Sequence, residues 1–486
     1  MGFCMRWLWR LWLRSGSLRP VLMMAFFVFF TLNILKHRKT PVHGSGDAGM
    51  PGSVMDLDDT GGVEQQPQEQ MMWTRVLPPV TDDPTLKPHG DWMEVVGSER
   101  SVFVYSAYMD RRGSSNLVRV VAILKKKKKV TECQVWWGNA TSRVRAKTKL
   151  IRENWNLPFS AAYILCSMSD ATATPTRVSL VVGGQADATS SLPVQDLVSR
   201  EQMGNMSVCV KPFHYNFDRA VWLVEFIEFY RLLGADKFIF YNHTTGSNVK
   251  AVLDYYQDFG IVTVLPWALP VVTQKEIRTE GIFAALNDCN LRSVNRFHLT
   301  AMVDVDEFLI PRNHHNLLDL VHSFGSRYDV YVFQNVFFYL YWENDTAVHD
   351  ALFADENGLG YNLFGSESSM PYLLTSYKTR RLNKPHKYGQ RSKYLVRPQR
   401  VAEVGNHNVW EHIGTKAVKN VPPDAGLSHH YRICELGGFD CLKQSNSVDR
   451  IAHHWLLPLA KQVAGACFRI FPKEGCPIAP PLGSPW

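Results

Sequence analysis

The stretch VCVKPFHYNFDRAVWLVEFIEFYRLLGADKFIFYN, residues 208–242, holds one complete β-α-β unit. Apolar runs at 207–213 and 237–241 predict two strands, and the apolar residues between them recur at helical spacing. Asp218 is the expected N-cap of this helix, and Gly234 is expected to end it. Right-handed crossovers of this kind predict a parallel sheet covered by helices.

The pattern then repeats and ends on two carboxylates. A second helix is expected at 248–259 and a third strand at 261–265. A fourth apolar run, HLTAMV at 298–303, leads directly into Asp304 and Asp306. Alternate residues of an extended chain point to one side, so both carboxylates are expected together at the edge where parallel sheets bind ligands. Hard divalent ions join such anions to phosphate oxygens, which predicts a Mn²⁺ or Mg²⁺ site for a nucleotide diphosphate.

Composition divides the rest of the 486-residue chain. The run VLMMAFFVFFTLNIL holds no charge and lies between basic residues, so it is expected to be a retained membrane signal anchor, with a cleaved signal peptide as the alternative. The expected segments are a cytoplasmic tail at 1–20, the anchor at 21–35, a stem at 36–91, a β-rich, sandwich-like module at 92–200 that is a candidate carbohydrate binder, and an α/β catalytic domain at 206–476.

Features beyond the expected anchor predict the lumen of the secretory pathway. Eight of the nine cysteines lie there, and the pairs closest in sequence are Cys434 with Cys441 and Cys467 with Cys476. Four N-x-S/T sites follow as well, at Asn139, Asn205, Asn242 and Asn344. We therefore expect a single-pass type II protein of the Golgi membrane with a luminal catalytic domain. The net charge of +8 is spread along the chain rather than gathered into an arginine-rich stripe, which argues against nucleic acid as a partner.

Four ordered segments together resemble glycosyltransferase family 92. They are 208–242, quoted above, MVDVDEFLIP at 302–311, SKYLVRPQRVAEVGNH at 392–407 and HHYR at 429–432. The resemblance implies a GT-A (Rossmann-like) fold and an inverting transfer of galactose from UDP-galactose, with β-1,4 products. Within the family the chain is similar to vertebrate galactosyltransferases that extend the terminal galactose of glycoprotein N-glycans. A transferase of another nucleotide sugar and a non-catalytic glycan-binding protein are the alternatives, and a homodimer is left open.

The resemblance also implies roles for metal ligands. The metal pair is carried over onto Asp304 and Asp306, the latter beside the reacting centre. GT-A enzymes commonly add a histidine, for which His407 and His430 are the two candidates. A hydrogen-bonded structural role is the alternative for either histidine.

Besides Asp304, five residues are expected to bind the nucleotide-sugar donor. Lys211 and Phe213 lie at the end of the first predicted strand, in the stretch 211–217 that is expected to border the ligand site. Lys393 and Arg397 lie along a basic strand, and Arg432 ends the HHYR segment. Cations at these positions can neutralise the departing diphosphate. A solvated strand face is the alternative for Lys393 and Arg397.

An inverting transfer also needs a carboxylate that takes the proton of the acceptor hydroxyl. The options are Glu343, Asp345, Glu367 and Glu403. Glycosylation at Asn344 would place the first two on an exposed loop, so Glu367 is favoured as the catalytic base. A surface carboxylate is the alternative for each of them.

Overall fold

The structure, a computed structural model, describes residues 91–169, 173–184, 190–198, 200–355, 357–434, 438–473, 475 and 477. The expected tail and anchor and all but the last residue of the expected stem lie outside these residues. No helix within the described ranges is both long enough and apolar enough to cross a membrane.

The first part of the described chain is built from strands. They are β1 (Met93–Glu94), β2 (Val102–Asp110), β3 (Leu117–Lys125), β4 (Glu132–Trp137), β5 (Ala140–Leu150), β6 (Phe159–Ser167), β7 (Arg177–Leu180) and β8 (Leu192–Asp196). Their order is β1-β2-β3-β6-β5-β4-β7-β8, and β8 pairs back in parallel with β2. The module is therefore a closed ring of seven strands, which differs from the expected sandwich. Closure follows from the length of β5, whose first half pairs with β4 and whose second half pairs with β6.

The second part alternates strands and helices. Its helices are α1 (Ala220–Leu232), α2 (Ser247–Asp258), α3 (Ile282–Ser293), α4 (Leu317–Ser323), α5 (Ala347–Leu352), α6 (Leu359–Phe364), α7 (Leu374–Tyr377) and α8 (Leu456–Ile470). Its strands are β9 (Gly204–Val210), β10 (Lys237–Asn242), β11 (Val262–Pro266), β12 (Phe297–Val303), β13 (Glu307–Pro311), β14 (Val330–Phe333), β15 (Asn335–Tyr339), β16 (Arg380–Leu382), β17 (Lys393–Val396), β18 (Val401–Val404), β19 (Val409–His412), β20 (Val418–Asn420), β21 (Gly426–Arg432) and β22 (Asn446–Val448).

The main sheet of this part has the order β11-β10-β9-β12-β17-β14-β20. Strands β9 to β12 are parallel, and β17 runs antiparallel to β12 and to β14. The strand order reverses between β9 and β12, and open α/β sheets bind ligands beyond the carboxyl ends of the strands at such a point. A smaller sheet has the order β13-β21-β15, and its strand β13 is the next strand in the chain after β12. This sheet carries the remaining residues of the site described below.

The expected N-cap at Asp218 is wrong. Helix α1 begins at Ala220 without a side-chain cap. The Asp218 carboxylate instead accepts a hydrogen bond from the Val249 amide, 2.9 Å away, in the first turn of α2. A side chain at Gly246 would collide with it, because a Cβ there would lie 2.2 Å from the Asp218 Cγ. Gly234 follows the end of α1 as expected, with a φ of +101°.

Helix α3 joins the two parts of the described chain. All of its residues are buried, and it contacts β3 and β6 of the ring as well as β9 and β12 of the main sheet. The Asp288 carboxylate accepts hydrogen bonds from Tyr108 of the ring (2.6 Å) and Tyr241 of the main sheet (2.7 Å). It also pairs at 2.7 Å with Arg292, and both side chains are fully buried.

Disulfides tie several of these elements together. Cys133–Cys166 links β4 to β6, and Cys209–Cys289 links β9 to α3. The expected pair Cys434–Cys441 is confirmed. Cys467 is disulfide-bonded, and its expected partner, Cys476, lies outside the described residues.

Candidate active site

Two neighbouring parallel strands bring Lys211 and Asp304 together. Val210 and Val303 are paired at the ends of β9 and β12, so the residue after each lies at the carboxyl edge of the sheet. The Lys211 Nζ is 3.4 Å from the Asp304 Oδ2. A tight turn follows, closed by the Glu307 amide, which donates to the Asp304 carbonyl at 3.0 Å. The carboxylate pair therefore lies at the switch point of the sheet.

Lys393 reaches the same carboxylates from the antiparallel strand β17. Tyr394 pairs with Met302, so Lys393 lies beside the carboxyl end of β12. Its Nζ is 3.3 Å from the Asp304 Oδ1 and 3.1 Å from the Glu307 Oε2. It also donates to the Asn406 Oδ1 at 2.8 Å. The ammonium group is buried and surrounded by acceptors on three sides.

His430 lies between two carboxylates. It pairs with Glu307 across β13 and β21, and this register places its ring at the turn. The His430 Nε2 is 3.3 Å from the Asp306 Oδ2, and its Nδ1 is 3.1 Å from the Glu307 Oε1. The contact with Glu307 orients the ring so that Nε2 faces Asp306, in the way that a carboxylate commonly holds the other nitrogen of a metal-binding histidine.

Charge interactions outweigh burial at both aspartates but not at Glu307. Burial alone would raise the pKa of Asp304, but Lys211 and Lys393 lower it well below its usual range. Burial likewise opposes ionisation of Asp306, yet the adjacent His430 holds its pKa below the ordinary value. The pKa of Glu307 is raised, because burial exceeds the lowering by Lys393. The two aspartates are therefore ionised near neutral pH.

The two histidine candidates have different environments. His407 also lines the site cavity. However, its Nδ1 contacts the Ser392 carbonyl at 3.2 Å, and its Nε2 contacts the side-chain Nδ2 of Asn406 at 3.1 Å. Burial, together with Lys393, lowers the pKa of His407 to about 4, so this ring is neutral. The structure thus brings His430, and not His407, into contact with an aspartate of the pair.

The cavity above these groups has a volume of about 340 Å³, within the range of small-molecule sites. Its basic side carries Arg391 and Arg432, whose guanidinium carbons lie 5.4 and 4.7 Å from the ring centre of Phe337. Its apolar side includes Trp222 and Leu340. Arg219 also lines the cavity, with its guanidinium carbon 4.3 Å from the Trp222 ring centre, so the lining can offer guanidinium groups to a negative ligand.

Two predicted donor-binding residues lie elsewhere. Arg397 follows the other end of β17, where its Nε donates to the Tyr328 carbonyl at 3.0 Å. It is four residue steps from Lys393 along an extended chain, so the two are about 13 Å apart at opposite ends of the strand. Phe213 is buried and stacks on Phe217 and Phe240, with ring centres 5.1 Å away in both cases. It supports the floor of the cavity by packing.

The predicted catalytic base, Glu367, is not among the residues that line the cavity. It is exposed, and its Oε1 accepts a hydrogen bond from the Tyr361 hydroxyl. Glu343 is exposed too, Asp345 pairs with Arg450, and Glu403 is fully buried. Within the described residues, the carboxylates that line the cavity are Asp304, Asp306 and Glu307.

Glu307, Arg391 and Asn406 were not predicted as site residues. Glu307 directly follows the Asp-x-Asp pair, and Asn406 lies beside His407 in the third family-like segment, so adjacency was the available signal. Arg391 precedes that segment by one residue and had no signal of its own.

The carboxylates fit a hard divalent cation. Oxygens of Asp304, Asp306 and Glu307 lie within 4.8 Å of one another. The Asp306 Oδ1 is buried and has no hydrogen-bond partner among the described residues. An unpartnered buried carboxylate oxygen is costly, and a cation such as Mn²⁺ or Mg²⁺ would satisfy it.

A mainly parallel α/β sheet with an Asp-x-Asp pair at its switch point is the arrangement of a GT-A glycosyltransferase. Residues 204–459, more than half of the chain, match the sequence profile of Glycosyltransferase family 92. The chain belongs to this family.

Similarity to individual proteins is more distant. The chain is 24% identical over 237 residues to the beta-1,4-galactosyltransferase galt-1 of Caenorhabditis elegans, and the aligned part covers 46% of this chain and 55% of that protein. Two solved structures are also similar to this chain. One is a mycobacterial protein, with a TM-score of 0.23 and 14% identity, covering 55% of this chain and 74% of that one. The other is the glucosyl-3-phosphoglycerate synthase of Mycobacterium tuberculosis, with a TM-score of 0.21 and 14% identity, covering 55% of this chain and 80% of that one.

Proposed function

We propose that the protein is an inverting galactosyltransferase. It would transfer galactose from UDP-galactose to the terminal β-galactose of a glycoprotein N-glycan and form a β-1,4 linkage. Family membership supports glycosyl transfer, and the name of the Caenorhabditis elegans relative supports galactose and the linkage. The acceptor follows from the similarity to vertebrate enzymes of the family.

The observation that carries the proposal is the unpartnered Asp306 Oδ1 inside a cavity that also holds Arg391 and Arg432. Asp304, Asp306 and the Nε2 of His430 are the groups that would hold a divalent cation. When bound, the cation supplies Lewis-acid stabilisation of the departing diphosphate.

The protein's own side chains prepare this site for an anionic diphosphate leaving group. Arg391 and Arg432 present guanidinium groups on one side of the cavity, where they can donate to phosphate oxygens. Lys211 and Lys393 stabilise the ionised form of Asp304, and Glu307 holds the His430 ring in place. Because these groups are already oriented, little reorganisation is needed as negative charge develops on the diphosphate.

The proposal includes a location in the Golgi membrane as a single-pass type II protein. The uncharged run at 21–35 and four N-x-S/T sites support a luminal catalytic domain. The disulfides also support it, since such bonds persist in oxidising compartments.

The test uses the full-length protein, solubilised in detergent, with labelled UDP-galactose and N-glycans that end in β-galactose. Parallel reactions contain Mn²⁺, Mg²⁺ or a chelator, and UDP-glucose and UDP-N-acetylglucosamine serve as competing donors. We expect metal-dependent addition of one galactose, with the linkage read by a linkage-specific galactosidase. Preferred transfer from another nucleotide sugar would refute the donor, and transfer that persists under chelation would refute the metal.

A further inference from the structure

A loop of the β-ring module, the closed ring of strands β2 to β8, supports the active-site wall from behind. It connects β5 to β6 and carries Glu153, whose Oε2 accepts a hydrogen bond from the backbone amide of Asn406 at 3.0 Å. The Glu153 Oε1 accepts another from the Trp410 Nε1 at 2.9 Å. Asn406 lines the cavity and accepts a hydrogen bond from Lys393, the ammonium group that contacts Asp304. Glu153 therefore connects to the carboxylate pair through two intervening residues.

Neighbouring contacts show that this loop is closely fitted. A Cβ at Gly405 would lie 2.3 Å from the Trp410 Nε1 and 2.6 Å from the Glu153 Oε1, so only glycine fits there. Beside it, the Arg152 amide donates to the buried Glu403 at 2.9 Å. These contacts join the loop to the turn at 405–407, which presents Asn406 to the cavity.

We propose that Glu153 is a positioning residue for the donor site and that the β-ring module is in this way a part of the catalytic unit. Both hydrogen-bond partners of Glu153 are donors, and its carboxylate offers an acceptor oxygen to each of them. An amide offers one oxygen and turns its NH₂ group toward the second donor. The inference rests on the proposed function for its kinetic consequences, whereas its structural consequence can be measured without any substrate.

Kinetics of Glu153→Gln test the positioning role. We expect the KM for UDP-galactose to rise about tenfold, the size of one lost hydrogen bond to a charged group, with an unchanged KM for the acceptor glycan. Trp410→Phe removes one of the two donors and should have a smaller effect. Glu411→Gln is the matched control, because Glu411 pairs with Lys149 in the same contact region but does not touch Asn406. A lower kcat with an unchanged donor KM would overturn the positioning role.

Hydrogen exchange of the Asn406 amide gives an independent measurement. In the full-length protein without ligand, this amide should exchange about tenfold faster in Glu153→Ala than in the wild type, because Ala removes the acceptor altogether whereas Gln keeps one oxygen. Trp410→Phe keeps this hydrogen bond, so its Asn406 exchange should match the wild type. Equal exchange in Glu153→Ala and wild type would refute the inference. Failure of the wild type to use UDP-galactose would instead refute the proposed function and leave this result standing.

A second cavity, of about 530 Å³, lies at the opposite edge of the main sheet and contains Arg397. Arg327 and Arg400 line it as well, and Asp329 is its acidic side chain. The Arg397 Nε is held by the Tyr328 carbonyl, and the Arg400 Nε lies 3.5 Å from the Asp329 Oδ1. The Oε1 of Gln399, another lining residue, is buried without a hydrogen-bond partner among the described residues.

We infer that this arginine cleft binds an acidic sugar. Guanidinium groups pair in bidentate fashion with the oxygens of a carboxylate or a sulfate ester. Gln399 and Asp329 add acceptors, which an oxyanion alone cannot use but sugar hydroxyls can. The cleft lies away from the carboxylate pair, so it would hold a charged unit of a glycan at a distance from the reacting sugar.

Calorimetry with the full-length protein tests the arginine cleft, with a heparin tetrasaccharide, a neutral galactose-terminated oligosaccharide and inorganic sulfate as probes. We expect salt-dependent binding of the tetrasaccharide that weakens at least about tenfold in the Arg397→Gln/Arg400→Gln double variant. Arg145→Gln, a change at an exposed arginine of β5, is the matched control and should bind as the wild type does. Unweakened binding by the double variant, or equal binding of sulfate or of the neutral oligosaccharide, would overturn the inference.

Discussion

The Nε2 of His430 lies 3.3 Å from the Oδ2 of Asp306, on a strand that pairs with the strand following the Asp-x-Asp turn. His430 pairs with Glu307, the residue that directly follows Asp306, so the pairing of these two strands in the smaller sheet fixes the distance between His430 and Asp306. The other oxygen of Asp306 is left buried without a partner. A carboxylate held from one side and open on the other is prepared to accept a cation.

Asp306→Asn should abolish transfer while the protein stays folded. The amide has nearly the same shape but offers a cation one neutral oxygen, so we expect kcat to fall at least about 100-fold. Labelled-galactose transfer across a Mn²⁺ series measures the loss, and thermal unfolding checks the fold. Asp350→Asn, at an exposed carboxylate of α5, is the control and should keep full activity. Activity of Asp306→Asn equal to that of the control would contradict the metal site.

Arg432→Gln should weaken binding of the donor more than binding of the acceptor. The guanidinium group of Arg432 lies over Phe337 and lines the cavity, where it can pair with a phosphate. We expect the KM for UDP-galactose to rise about tenfold, the effect of one hydrogen bond between charged groups. Arg380→Gln, at an exposed arginine of β16, is the comparison and should leave both constants unchanged. An increase confined to the acceptor KM would assign Arg432 to the acceptor side.

Asp288→Asn should destabilise both parts of the described chain together. The change leaves the fully buried Arg292 without its carboxylate, and Tyr108 and Tyr241 lose their shared acceptor charge. Breaking a buried pair from one side costs about 3 to 5 kcal/mol of the free energy of unfolding. Urea denaturation, monitored with one probe in the β-ring module and one in the main sheet, measures this cost. Two separate transitions, with only one shifted, would show that the parts unfold independently.

The β-α-β units could be predicted from the sequence because their signals are local. The helical spacing of apolar residues and Gly234 predicted helix α1. The alternate positions of Asp304 and Asp306 predicted that their carboxylates lie together. Asp218 shows the limit of such reasoning. Its side chain has the right chemistry for an N-cap but serves α2, 31 residues further along at Val249, and no local pattern encodes that choice.

Contacts between distant segments were not predictable from spacing. Closure of the β-ring depends on the pairing of β8 with β2, and the Glu153 contact depends on how the ring packs against the turn at 405–407. Arg397 is a different case. It lies four residues beyond Lys393 on an extended strand, so geometry alone excludes both from one small site.

His429→Phe should make the protein less sensitive to acid. His429 is fully buried against Phe338, its ring nitrogens have no hydrogen-bond partner within the described residues, and burial lowers its pKa to about 3. The unfolded chain binds a proton below pH about 6.5 and the folded chain does not, so the wild type loses stability as pH falls through that value. From pH 7.5 to 5 the wild type should therefore lose about 2 kcal/mol more than His429→Phe. Urea denaturation of both proteins at the two pH values measures this difference, in which any packing change that is equal at both pH values cancels. An equal loss in the two proteins would mean that His429 takes up its proton in the folded state as well.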